Sequence, residues 1–190
     1  MPSFNVVDEV SQSLVGVLQG ELASLNATVE THDLQSPIQN TLRLTVFLFE
    51  AGEDPSARNR PRVRELNAPD IRLSKPPMAL LLRYLLTPWG GTESARHVII
   101  GRAMQVLYDR PILSGTQLVG SLAAEDQALK VTLAPLSLEE RTRVWYAVQK
   151  PYRLSVSYEV RVVNLDTEVS DRVRPVRQRT LDVAVPEVSA

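Results

Sequence analysis

From residue 153 to residue 162 the chain alternates without a break: Leu154, Val156, Tyr158, Val160 and Val162 interleave with Arg153, Ser155, Ser157, Glu159 and Arg161. A period of two fits a pleated strand with one buried face and does not fit a helix. Because a lone strand is not stable in water, such a segment commits the chain to building a sheet. The pattern returns in LRLTVFLFE (42–50), where Leu42, Leu44, Val46, Leu48 and Glu50 point one way and Arg43, Thr45, Phe47 and Phe49 the other. ATVETHDL (27–34), LKVTLAPL (129–136) and TLDVAVPEV (180–188) read as further strands. MALLLRYLLTP (78–88) is almost continuously apolar and bracketed by Pro77 and Pro88; a central strand suits it better than a buried helix.

Three segments carry helical spacing instead. Val6, Val10, Leu14, Val17, Leu18 and Leu22 predict an amphipathic helix within 4–25, with Ser3 or Asn5 as cap and Asp8 and Glu9 in the first turn. A second helix is expected from about Glu93 to Tyr108, capped by Thr92 or Ser94, with Val98, Ile99, Arg102, Met104, Val106 and Leu107 straddling its apolar stripe. Ser137 opens the S-x-x-E of a capping box, and the helix it starts is expected to turn Leu138, Val144, Trp145 and Val148 inward before Pro151 ends it. Strands and helices are segregated rather than repeating as βαβ. The expected fold is therefore α+β, a mixed or antiparallel sheet of about five to six strands with about three helices packed on one face.

A chain of 190 residues suits one domain with a sizeable core. Residues 51–77 hold five prolines and dense charge, without a clear element. Proline removes backbone donors and blocks helix and central strand alike, so this stretch is expected to be a charged, Pro-rich arm. Residues 167–190 are expected to form a second, basic arm. Net charge is −1, which points to neither nucleic acid nor a membrane. Its distribution is uneven: residues 1–57 carry Arg43 against eight acidic groups, and residues 58–83 carry seven basic groups against Glu65 and Asp70. Segregation of this kind suits head-to-tail packing of copies, or a charged partner.

Little in the sequence asks for catalysis. There is no cysteine, hence no thiolate metal site or cysteine nucleophile. Trp89-Gly90-Gly91-Thr92 lacks the lysine of a phosphate loop and is followed by Glu93, so the glycines are expected to permit a sharp corner. His97 is expected to be a half-buried, satisfied side chain, and Gly101 to mark a close crossing. No catalytic residue, cofactor or metal is expected. A small hydrolase or nucleotide-binding enzyme using Glu93 and His97 is the rival reading. The start, MPSFNVVDEV, has no signal-peptide pattern and no run approaches the ~18 apolar residues of a membrane span, so synthesis in the cytoplasm without direct membrane insertion is expected.

Four short patterns occur in order: Thr87-Pro88, Gly101-Arg102-Ala103, Leu136 to Glu140, and Pro151-Tyr152-Arg153 followed by Tyr158 to Arg161. In this arrangement the chain, from about Val6 to Asp166, resembles the N-terminal domain of the cap or tail-terminator proteins of phage-tail-like contractile injection systems. The resemblance implies a non-enzymatic structural protein: a single tail-terminator-like domain forming a six-fold ring on the distal end of a tube and sheath. Its implied partners are its own copies, the sheath protein and the inner-tube protein, within a particle that can be released from the cell. A tail-completion or adaptor protein of a true phage is the alternative. The residues expected at subunit or sheath contacts are Arg58, Arg60, Arg62, Arg64, Arg172, Arg174, Arg177 and Arg179.

Overall fold

The computed structural model describes residues 4–67, 70–165 and 170–173. In chain order the elements are α1 (Val6–Leu22), β1 (Thr28–Thr31), β2 (Arg43–Glu53), β3 (Val63–Asn67), β4 (Asp70–Ser74), β5 (Met78–Trp89) and α2 (Glu93–Asp109). There follow β6 (Ile112–Ser114), α3 (Gly120–Ala124), β7 (Ala128–Leu133), α4 (Leu138–Ala147), β8 (Val156–Leu165) and β9 (Ser170–Val173). They fall into two compact units, one of Met1–Asn59 with Pro77–Asp166, the other of Arg60–Pro76 with Thr167–Ala190.

The larger unit is a six-stranded sheet in the order β1-β2-β5-β8-β7-β6. Only β1 and β2 run parallel; every other pair is antiparallel, so the sheet is mixed and the fold α+β. The segment MALLLRYLLTPW forms its long inner strand, β5, paired with β2 through Thr45↔Thr87 and with β8 through Tyr84↔Tyr158. Its unbroken apolar character follows from cover on both sides. On one face Leu44, Val46, Leu82, Tyr84, Leu86, Tyr158 and Val160 pack under α1, α2 and α3. On the other, Leu85 and Trp89 with Phe47 and Phe49 meet Leu34, Trp145 and Val148. The alternation of β2 thus serves two cores at once.

Helices cover both faces of the sheet, not one. Trp145 carries α4 to the face opposite α1–α3. Amphipathic spacing shows that a helix has an apolar side but not which surface of a sheet receives it.

Within α1 the buried stripe is Val6, Val10, Leu14, Val17, Leu18 and Leu22, as spacing predicts. Ser11 and Ser13 are buried beside it. The Ser11 hydroxyl donates to the Val7 carbonyl and lies 2.9 Å from the Tyr84 hydroxyl, while Ser13 Oγ accepts from Val119 N–H at 3.1 Å. Burial pushes the Tyr84 phenol up to about 12. Thr92 caps α2 by accepting from Ala95 N–H, and Ser137 and Glu140 close the expected capping box on α4. Asn5 precedes α1 in a helical conformation without a side-chain capping bond.

Several residues stand differently from expectation. The α2 stripe is Ile99, Ile100, Ala103, Val106 and Leu107, with Val98 exposed. Leu138 and Leu154 are exposed as well. Gly101 has nothing within 4 Å of the position a Cβ would take, so it marks no close crossing.

The smaller unit contains a three-stranded antiparallel sheet, β3-β4-β9. β4 pairs with β3 from Val63↔Ser74 to Asn67↔Asp70 and with β9 from Ile71↔Val173 to Ser74↔Ser170. Two five-residue strands therefore lie in a stretch whose sequence shows no clear element; the prolines at 61, 69 and 76–77 bracket them instead of interrupting them. The strand expected at 180–188 lies outside the described residues.

Candidate interaction surfaces

The corner after β5 decides between a phosphate loop and a turn. Gly90 and Gly91 take φ values of +66° and +57°, and a Cβ on Gly90 would overlap the Thr41 carbonyl. The carbonyls of Gly90 and Gly91 both accept from Arg96 Nη1, at 3.2 and 3.0 Å. An anion cradle presents N–H groups; this corner presents oxygens, and a side-chain cation already holds them.

The histidines form no catalytic pair. His97 is exposed on α2 rather than half-buried. The Nδ1 of His32 accepts the Leu34 N–H at 2.9 Å, which makes it part of a turn. Among the described residues no three His, Asp or Glu side chains are grouped to hold a metal ion.

What the corner does build is a cationic cleft. Trp89 is anchored from below, its Nε1 donating to Thr45 Oγ1 at 2.9 Å while Thr45 Oγ1 donates to the Thr87 carbonyl at 3.1 Å. Trp145 packs against it with ring centroids 6.2 Å apart at 56°. Over the indole lie the Arg153 guanidinium, 4.4 Å from the ring centroid, and Lys150 Nζ at 5.8 Å. Arg96 completes the group, and Ile38, Gln39 and Asn40 form the opposite wall of a cleft of about 580 Å³. That wall is held by Arg43, which donates to Gln39 Oε1 and Thr41 Oγ1 and pairs with Glu30. Sequence reading missed this group because its parts come from 38–40, 89–96 and 150–153, none distinctive alone.

A second surface is apolar. Tyr108, Ile112 and Leu133 are exposed around a groove of about 1090 Å³ that runs between the end of α2 and β7. The short β6 pairs only with Ala128–Lys130 of β7, so the strand runs on past its neighbour to Leu133. Its lining is mostly apolar, with Tyr108, Ile112 and Leu133 left without cover in the isolated chain.

Of the arginines expected at contacts, Arg58 is exposed and bonds Glu53 Oε2 through Nε at 2.9 Å. Arg60 and Arg62 are exposed. Arg64 lies on β3 and Arg172 on β9, whose neighbour β4 pairs Arg72 with Arg172 in register. Arg174, Arg177 and Arg179 lie outside the described residues. Much of the acidity of residues 1–57 is answered inside the larger unit: Glu21 by Arg102 and Arg110, Glu30 by Arg43, and Glu50 by Arg83.

A model of the family described as the Pvc16 N-terminal domain matches residues 9–179. No curated protein matches the chain. Among solved structures the chain is similar to the sheath/tube terminator of the PVC extracellular contractile injection system in its extended state, with a TM-score of 0.67 and 17% identity over 100% of this chain and 67% of that one. It is also similar to the tube-terminating cap of the anti-feeding prophage, with a TM-score of 0.63 and 18% identity over 96% of this chain and 62% of that one. At these identities the likeness is one of fold, and the chain spans about two thirds of the length of either protein.

Proposed function

The chain belongs to the Pvc16 N-terminal domain family, and from that premise we propose that it caps the tube and sheath of a contractile injection particle. The single observation behind this reading is the family match across residues 9–179; the shared fold with two tube-terminating proteins supports it. The function is assembly rather than bond-making. Copies join as a ring, six-fold as the resemblance implies. One ring face matches the last layer of tube, while the other offers no further docking edge, so growth stops there and the last sheath layer is held.

Such a protein needs surface that gains only on contact, and the apolar groove beside Tyr108, Ile112 and Leu133 is of that kind, with a second copy as its occupant. The smaller unit, of Arg60–Pro76 with Thr167–Ala190, supplies contacts to neighbours. Arg58, Arg60, Arg62, Arg64, Arg172, Arg174, Arg177 and Arg179 carry charge to those contacts. One exposed ion pair is worth only ~0–1 kcal/mol, so the arginines act as a group. The protein is made in the cytoplasm and leaves the cell as part of the particle. Among the described residues no helix is long and apolar enough to cross a membrane.

Deleting the gene from a particle-producing cluster tests the reading. Electron micrographs of the deletion strain should show tubes of uncontrolled length and sheaths that do not stay extended, with normal particles restored by the gene in trans. Uniform, intact particles without the protein would overturn it.

A further inference from the structure

We propose that the Trp89 cleft is a recognition site for an acidic peptide segment of a protein partner, with Arg96, Lys150 and Arg153 receiving its carboxylates. This inference is independent of whether the chain caps a tube.

Three observations carry it. First, the cleft's cations lack anionic partners. Arg43, Arg58, Arg83, Arg102, Arg110, Arg143 and Arg161 all pair with carboxylates. Arg96, Lys150 and Arg153, like Lys130 and Arg141, form no ion pair among the described residues, and the first three lie together in one cleft. Arg96 is held by two carbonyls, and Lys150 donates to the Ser36 carbonyl at 3.0 Å. The acidic neighbours do not neutralise them: Glu93 lines the adjoining cavity with Arg96 and Arg153 without an ion pair to either. The Asp33 carboxylate is taken by the Ser36 and Gln35 N–H groups and the Ser36 hydroxyl.

Second, the cations are arranged in advance. Arg153 lies over the Trp89 ring, Trp89 is pinned by Thr45, and the facing wall is tied down by Arg43. A guanidinium already stacked on an indole loses little further freedom when it receives a planar carboxylate, and the apolar ring beneath it lowers the local dielectric.

Third, the polar lining suits a peptide better than a phosphate. The corner points carbonyls rather than amides into the cleft, and the α2 N-terminal amide of Ala95 is taken by Thr92 Oγ1. With its Oε1 accepting from Arg43, Gln39 keeps its amide NH₂ as a donor. Asn40 beside it is exposed and offers both a donor and an acceptor, as a peptide backbone needs.

The molecule supplies its own reporter, because its two tryptophans are Trp89, which lines the cleft, and the buried Trp145, which packs against it. Intrinsic fluorescence of the protein is followed while adding N-acetylated, C-amidated tetraglutamate. The same capped tetraglutamine and inorganic phosphate are added in parallel. Tetraglutamate should give a saturable change that weakens as salt rises, and tetraglutamine should give none. Lys150→Gln with Arg153→Gln should raise the apparent Kd about tenfold or more. Should that double variant fail to fold, Arg153→Lys, which keeps the charge but not the planar stack, should raise it about two- to fivefold. No saturable response to tetraglutamate, or one unchanged by these substitutions, overturns the proposal. A phosphate response as strong as that of tetraglutamate overturns the peptide assignment and leaves a small-anion site.

Discussion

A β-carbon at position 90 would occupy the space of the Thr41 carbonyl, on a backbone whose φ of +66° L side chains rarely adopt. Gly90→Ala should therefore cost about 1–3 kcal/mol or more, read as a lower denaturation midpoint in urea. Gly101→Ala should do the opposite. Its helical, exposed backbone has open space where the methyl would go, and the expected gain is about 0.5–1 kcal/mol. Equal effects from the two substitutions would contradict this account. The sequence places both glycines but separates them poorly, since what distinguishes them is a carbonyl from a segment 49 residues away in one case and solvent in the other. Thr92 and Ser137 were legible as caps because capping is a local bond between neighbours. The surroundings of His97 and Leu138 were not, because helical spacing locates an apolar stripe only to within a position or two.

Among the elements, α1 and α2 are joined by one carboxylate. Glu21 accepts from Arg102 Nη2 at 2.5 Å and Arg110 Nη2 at 2.6 Å, and those bonds, Arg110 first, hold its carboxyl below the ordinary value of 4.5. A depressed folded pKa means that the unfolded chain binds the proton more readily. The contribution of Glu21 is thus complete above about pH 4.5 and fades as pH falls through the folded value. Glu21→Gln should lower the melting temperature at pH 7, and the gap from the parent protein should close on acidification toward pH 3. A gap independent of pH would show that the pair contributes packing and not charge. Strong periodicity made α1, β2 and β8 readable from sequence, and β5 was readable as an apolar run bracketed by prolines. β3, β4 and β9 were hidden because charge-rich strands of four or five residues look like the proline-bounded loop that surrounds them, and β9 pairs with a strand that lies far earlier in the chain.

At the scale of the whole molecule, the exposed groove yields the sharpest test of assembly. Ile112→Glu places a charge among exposed apolar side chains, where no carboxylate would be buried in the isolated chain. The variant should melt like the parent protein yet fail to form rings, as read by native mass spectrometry and electron microscopy; unimpaired rings would move the contact elsewhere. Neither the groove nor the Trp89 cleft was visible in the sequence. Each is assembled from segments that only the sheet brings together, whereas the family resemblance rests on local patterns such as Thr87-Pro88 and Pro151-Tyr152-Arg153. The order β2-β5-β8 has one more consequence. β5 receives one neighbour from earlier in the chain and the other some seventy residues later, through pairs such as Tyr84↔Tyr158. During synthesis its second edge must wait, apolar and unpaired, until β8 has left the ribosome, so nascent chains stalled before that point are the form of this protein that chaperones must shield.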